Sequence, residues 1–292
     1  MRRFDFHEPR SLEGVIETLE QYGHDAALLA GGTALLIDMR HGELSPRHLV
    51  SLWGVPGLAA IHCNRGLRIG ALATITEVAD STLALPACQG LREAALVLGG
   101  LQVQNMATLG GNICKASPGA DMVPPLLCLD AELRLVGPDG ERTTPLDGFL
   151  TGPDQTAIRP AEVLVEISLP PMPERTGSAF EKVMRRQAVD CSIVAVGTRV
   201  TLAADGQTCI EARIGLGAVA PNPFRAKKAE AALAGMKIEP ERVKEAARLA
   251  RSESRPITDV RASAEYRQML VEFLVERAIW TAARRAAGGV SR

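Results

Sequence analysis

Two glycine-rich stretches constrain this chain more than any other feature: Ala30-Gly31-Gly32-Thr33 and Thr108-Leu109-Gly110-Gly111-Asn112. Each sets a Gly-Gly pair beside a hydroxyl side chain, and each follows an apolar segment. Glycine adopts positive φ without steric cost and lets the backbone approach a ligand closely. Successive N–H groups in such a turn can point inward and form an anion-binding concavity. Two loops of this kind fit a grip on one pyrophosphate from two sides, so dinucleotide binding is the leading functional expectation. Neither loop reads G-x-G-x-x-G or G-x-x-x-x-G-K-[ST], which sets aside the Rossmann fingerprint and the P-loop.

A length of 292 residues fits two domains of about 100–200 residues each. Lys+Arg number 33 against 34 Asp+Glu, with no basic tract, so nucleic acid is not an expected partner. Aromatics are only 3% of the chain, which leaves the core to Leu, Val, Ile and Ala. The start, Met1-Arg2-Arg3-Phe4-Asp5, has no apolar core after its arginines and does not read as a secretory signal. No apolar run reaches the roughly 18 residues of a membrane span. A cytoplasmic location is expected. The cysteines at 63, 88, 114, 128, 191 and 209 form no C-x-x-C pair and have no zinc or iron–sulfur spacing. They are expected to be reduced core thiols.

Periodicity predicts a helix over 11–22 with Ser11 as N-cap, a strand over 26–30 running into the first Gly-Gly, and a helix over 34–39. That unit would turn a helix N-terminus toward an anion. Further strands are expected at 48–52, 57–61, 67–70, 132–136 and 163–169, with helices near 75–83, 87–97 and 122–128. The stretch 170–177, rich in proline, reads as a linker. Beyond it come β segments at 191–203 and 209–218, then helices at 225–234, 239–252 and 262–287. The last is expected to present Met269, Leu270, Phe273, Leu274, Ala278 and Ile279 on one face.

Taken together, several ordered motifs resemble the FAD-binding medium subunits of the molybdenum hydroxylases, the group of carbon monoxide dehydrogenase, 4-hydroxybenzoyl-CoA reductase and xanthine dehydrogenase. The resemblance covers nearly the whole chain. It rests on Phe4-Asp5-Phe6-His7-Glu8-Pro9, the A-G-G-[TH]-x-L loop at 30–35, the G-A-x-x-T segment at 70–74 and the T-[IL]-G-G-N…A-[SD]-P-x-x-D block at 108–121. It continues through Phe180-Glu181-Lys182-Val183, Arg185-Arg186 and Asp190 to the stretch 257–267. The resemblance implies an α+β fold. A flavin domain of the vanillyl-alcohol-oxidase (PCMH) type, with two α/β subdomains, would be followed by a C-terminal domain holding a three-stranded antiparallel sheet and helices. The implied boundaries are 1–175, with subdomains of about 1–56 and 57–175, and 178–288.

By the same resemblance, Leu29, Ala30, Gly31, Gly32, Thr33, Ala34 and Leu35 cradle the FAD pyrophosphate. Thr108, Gly110, Gly111 and Asn112 match a second loop at the phosphates and ribityl chain. Asp121 matches an acidic residue at the FAD ribose hydroxyls, Leu164 a backbone position against the flavin, and Lys182 and Asp190 positions near the isoalloxazine. Each also has a plain structural reading. Thr33 could cap a helix, Asn112 could serve a turn, Asp121 could be an N-cap, Leu164 a core leucine, and Lys182 and Asp190 surface ions. His41 reads as a polar residue at a helix end rather than a covalent flavin tether. Two departures stand out. Cys191 replaces an aromatic found in several relatives, and the cysteine-bearing insertion of 4-hydroxybenzoyl-CoA reductase is missing, so no iron–sulfur cluster is expected on this chain.

The implied cofactor is non-covalent FAD, and no catalytic residue or metal ligand is expected here. A small subunit with [2Fe-2S] clusters and a large subunit with the molybdenum cofactor would be the partners. NAD, a quinone, oxygen or ferredoxin would serve as external electron acceptor. Two alternatives remain at this stage: a stand-alone flavin oxidoreductase resembling the enolpyruvoyl-glucosamine reductases, and a scaffold whose flavin site has decayed.

Overall fold

The computed structural model describes residues 2–64, 66–83, 85–186 and 189–288. Its first unit is built from β1 (Asp5–His7), α1 (Leu12–Tyr22), β2 (Ala26–Leu29), α2 (Leu35–His41) and β3 (His48–Ser51). Ser11 caps α1 as the sequence predicts, its hydroxyl accepting the Gly14 N–H at 3.1 Å. β3 lies between β1 and β2 and runs parallel to both. The chain therefore leaves β2 at the end of a parallel strand and enters α2 through the first glycine pair. Val15 and Val50 pack with Leu72, Val163 and Val165 of the next unit, so the two units share one apolar cluster.

The second unit comprises β4 (Ile61–Cys63), β5 (Leu67–Gly70), α3 (Ile75–Ser81), α4 (Gln89–Val97), α5 (Leu101–Gln104), α6 (Leu109–Cys114), α7 (Val123–Cys128), β6 (Glu132–Gly137), β7 (Gly140–Pro145), β8 (Leu150–Gly152), β9 (Gln155–Thr156) and β10 (Val163–Leu169). Five strands form an antiparallel sheet in the order β4-β5-β10-β6-β7. β10 is central: Val163, Leu164, Val165, Ile167 and Leu169 are buried, and Glu166 and Ser168 are half-buried. The strand expected over 57–61 begins only at Ile61. Gly57 has φ +83° and its carbonyl accepts the Ala60 N–H, so the segment is a turn.

The third unit contains β11 (Thr176–Val183), β12 (Val194–Leu202), β13 (Cys209–Gly217), β14 (Phe224–Arg225), α8 (Lys227–Leu233), α9 (Pro240–Glu253) and α10 (Ala264–Ala286). Three long antiparallel strands match the expected sheet, and β14 adds a two-residue fourth at the edge. β11 begins inside the stretch expected to be a linker. α10 buries Val271, Leu274, Val275, Ala278, Ile279 and Ala282, whereas Met269 and Phe273 are 55% and 60% exposed. The expected stripe is thus rotated. The cause is close approach: a Cβ on Gly177 would overlap the Ala282 carbonyl, which favours the face where the small Ala278, Ala282 and Ala286 are buried. The cysteines also divide: Cys88, Cys128 and Cys209 are buried, but Cys63 and Cys191 are exposed.

α7 seats the second unit on the third. Gly197 and Gly215 face each other across β12 and β13. A Cβ on Gly197 would lie 2.7 Å from the Pro125 nitrogen, so the sheet offers a glycine floor to the Pro124-Pro125 turn of the helix. Beside it, Asp130 accepts from Arg199 at 2.8 Å, Arg213 at 3.2 Å and Arg225 at 3.3 Å. Arg199 and Arg213 are directly opposite on neighbouring strands, a like-charge pair that needs acidic neighbours. Asp130→Ala is therefore expected to cost about 1.5–3 kcal/mol, read as a lowered denaturant midpoint. A wild-type midpoint would show that Glu211, paired with Arg199 and Arg213, and Glu230, paired with Arg225, neutralise the arginines unaided.

Candidate functional site

The two glycine loops meet. A cavity of about 500 Å³ is lined by Ala30, Gly31, Gly32, Thr33, Ala34 and Leu35 from the first, and by Thr108, Gly111 and Asn112 from the second. Its size falls in the roughly 300–1,000 Å³ range of ligand sites. Leu28, Leu44, Leu98 and Val103 give it apolar walls, and Cys114 adds a thiol that burial pushes up to about 12, hence neutral.

The loops divide the work unequally. In the first, Gly32 sits at φ +70°, where a side chain would be strained. The Gly32 and Ala34 carbonyls accept the opening hydrogen bonds of α2. The N–H groups of Gly31, Gly32, Thr33, Ala34 and Leu35 donate to no acceptor among the described residues. These are free donors on residues that line the cavity. The N-cap of α2 is Ala34, and Thr33 Oγ1 makes no hydrogen bond among the described residues. In the second loop the donors are engaged. Leu109 N–H donates to the Ala73 carbonyl, Gly110 N–H to Ala71 and Asn112 N–H to Thr108, all at 2.9 Å. Gly111 N–H donates to Thr108 Oγ1 at 3.1 Å, which caps α6. The residues 70–74 thus act as a rail that holds the second loop in place. The symmetrical grip expected from sequence is replaced by one loop that offers backbone donors and one that offers a wall and side chains. Asn112 lines that wall. Its Oδ1 accepts the Met122 N–H at 3.3 Å, which leaves its amide NH₂ without an acceptor among the described residues.

Packing explains two of the four glycines. A Cβ on Gly31 would overlap the Met106 carbonyl, and one on Gly110 would lie 2.7 Å from the Ala71 Cβ. Gly31 lets the first loop rest on the turn after α5 that leads into the second, and Gly110 lets α6 rest on the end of β5. Trp53 secures the arrangement from outside, its indole N–H donating to the Ala30 carbonyl at 2.9 Å.

Leu29, Gly110, Asp121, Leu164 and Lys182 do not line the cavity. Leu29 ends β2 and accepts the Leu52 N–H. Leu164 is buried in the core of the second unit, beside a bulge in β10 whose Val165 carbonyl accepts the Ala71 N–H. Asp121 and Lys182 pair with each other at 2.7 Å, with side chains 9% and 3% exposed. Ser192 Oγ donates to the other Asp121 oxygen at 2.6 Å. Burial pushes the Asp121 carboxyl above its ordinary value, and Lys182 and Ser192 pull it back down. Asp121 is not the cap of α7, which has no side-chain cap. Asp190 accepts the Cys191 N–H at 2.9 Å, and its other oxygen lies 3.6 Å from Arg185. His41 is the exposed last residue of α2.

Sequence reasoning missed the charged residues of the cavity. Asp38 and Glu43 from α2 and its C-terminal turn, Lys115 after α6 and Asp154 between β8 and β9 all line it. Lys115 Nζ lies 2.8 Å from Asp38 and 3.0 Å from Asp154. Their positions, far apart in the chain, carry no local signal. Only Asp38, one turn beyond the glycine pair, could have been found from the expected helix.

The chain matches the family model for the FAD-binding domain in molybdopterin dehydrogenase over residues 2–172, and that for the CO dehydrogenase flavoprotein C-terminal domain over 178–282. It is 34% identical to the carbon monoxide dehydrogenase medium chain of Hydrogenophaga pseudoflava, covering 95% of this chain and 96% of that one. It is 33% identical to the xanthine dehydrogenase FAD-binding subunit of Escherichia coli O157:H7, over 98% and 99% of the two chains. The fold superposes on quinoline 2-oxidoreductase from Pseudomonas putida 86 with a TM-score of 0.90 at 30% identity, over 98% of this chain and 99% of that one.

Proposed function

We propose, for a chain that belongs to the family of FAD-binding medium subunits of the molybdenum hydroxylases, that the cavity between its glycine loops holds FAD non-covalently. The chain is an electron-transfer subunit. It passes electrons between [2Fe-2S] clusters on a small partner subunit and an external acceptor, while a large partner subunit carries the molybdenum cofactor. Correspondence over the full length of the medium chains, including 178–282, favours a subunit over a stand-alone oxidoreductase. We assign the chain with its partners to the cytoplasm; among the described residues no helix is long and apolar enough to cross a membrane. We divide it at 1–175 and 178–288.

The observation that carries this reading is the row of free donors in the first loop. A pyrophosphate has several strong acceptors, and backbone N–H groups are donors that can approach it where glycine leaves room. Gly32, Thr33, Ala34 and Leu35 would supply those donors, and Thr33 Oγ1 and the Asn112 amide would add side-chain donors. Bound FAD supplies redox chemistry through its isoalloxazine ring, which accepts and returns electrons. The residues of this chain bind and orient it and keep water from the apolar walls. The Asp121–Lys182–Ser192 group ties α7 to the third unit and so fixes that side of the flavin domain.

A visible spectrum of the chain, purified alone and with its partner subunits, tests the reading. A flavin spectrum that releases free FAD on denaturation is the expected result. No flavin in either preparation would overturn it.

A further inference from the structure

Four charged side chains line the cavity among the described residues, and three are acids: Asp38, Glu43 and Asp154. A cavity meant for a pyrophosphate should not carry such a field. Like charges repel more strongly in such a cavity than in bulk water, because the effective dielectric is lower. Lys115 is the one cation set against them in the lining among the described residues. Its Nζ lies 2.8 Å from Asp38 Oδ2 and 3.0 Å from Asp154 Oδ1, so one ammonium faces both carboxylates. The group stays charged: burial works against it, but its hydrogen bonds to Asp38 and Asp154 outweigh that and hold its pKa above the ordinary lysine value. The bridge is well anchored. Asp38 is fixed on α2, and the turn bearing Asp154 is tied by its N–H to the Ala116 carbonyl at 3.1 Å.

Resting on the FAD reading above, we propose that Lys115 is a specificity-determining residue, which offsets part of the charge of Asp38 and Asp154 and so favours a ligand carrying a pyrophosphate. The role is electrostatic. The alternatives are a strap that merely holds the β8–β9 turn, and a direct phosphate ligand.

The test is a titration of the flavin-stripped complex with FAD and with riboflavin, which lacks phosphate, at low and high salt. Lys115→Gln should weaken FAD at least tenfold at low salt, less at high salt, and leave riboflavin within twofold. Asp38→Asn/Asp154→Asn separates the readings, because it breaks the bridge but keeps the cation. It should bind FAD as tightly as wild type or tighter. Weaker FAD binding by this double variant would overturn the proposal in favour of a strap. Equal losses of FAD and riboflavin in Lys115→Gln would also overturn it. Lys115→Gln/Asp38→Asn should recover most of the FAD affinity, and failure to recover would point to direct phosphate ligation instead. A wild-type complex that takes up no FAD would refute the underlying FAD reading, a result distinct from all of these.

Discussion

Gly111→Asp is expected to give a chain that purifies without flavin while keeping its fold. A Cβ at position 111 would lie 2.8 Å from Thr108 Oγ1 and 4.0 Å from the Ala30 Cβ, so the new side chain enters the gap between the two loops. It brings a negative charge to a site built for an anion. At about 4 Å and an effective dielectric of 20 the repulsion is about 4 kcal/mol, close to a thousandfold in affinity. The backbone tolerates the change, since Gly111 sits inside α6 and the crowding atom is the end of a side chain. The thermal midpoint of the flavin-stripped variant should therefore stay within a few degrees of wild type. Gly111→Ala should bind FAD with a loss of about tenfold at most. The measurements are the flavin-to-protein ratio and the melting curve. A wild-type ratio in Gly111→Asp would mean that the pyrophosphate lies elsewhere. Gly31→Ala makes a useful contrast. Its Cβ would overlap the Met106 carbonyl, so that variant should lose stability as well as flavin.

The contrast also shows how far the sequence could be read. The glycine pairs announce a close approach, and both loops do line one cavity. What glycine spacing cannot say is what approaches. Gly31 and Gly110 answer to neighbouring backbone, and only Gly32 requires a left-handed φ. α1, with its Ser11 cap and clear period, and α9, with its period, were legible because those signals are local. α10 was legible as a helix but not in its orientation. Its buried face is set by Gly177 on β11, nearly a hundred residues earlier, and β11 was itself hidden by the prolines before it. The charges of the cavity were invisible for the same reason. Asp38, Lys115 and Asp154 converge only when α2, α6 and the β8–β9 turn are folded together. Asp121 and Lys182 were both legible as site candidates from the family resemblance. Their pairing was not, because it depends on how α7 sits on the third unit.

That pairing sets the largest expected stability effect. Lys182→Met leaves Asp121 buried with Ser192 as its remaining hydrogen-bond donor. Removing one partner of a buried ion pair typically costs about 3–5 kcal/mol, because the other charge stays desolvated. In a chain of this size that corresponds to a melting midpoint lower by about 10 °C. Asp121→Asn/Lys182→Met removes both charges and should recover most of the loss, leaving about 1–2 kcal/mol for the changed hydrogen bonds. The pH dependence follows from the direction of the Asp121 shift. Burial raises its carboxyl above the unfolded value, so the folded state holds the proton more tightly and stability falls as pH rises through the interval between the two values. Lys182 acts against that rise, and without it the interval extends further upward. The deficit of Lys182→Met should then be greatest near pH 8 and shrink toward pH 5, where the carboxyl takes up a proton and sheds its charge. Melting flavin-stripped wild type, single and double variants at both pH values checks this apart from any effect on cofactor. A deficit unchanged between pH 5 and pH 8, or a double variant as unstable as the single, would show that Lys182 acts through the packing of its aliphatic chain and not through its charge.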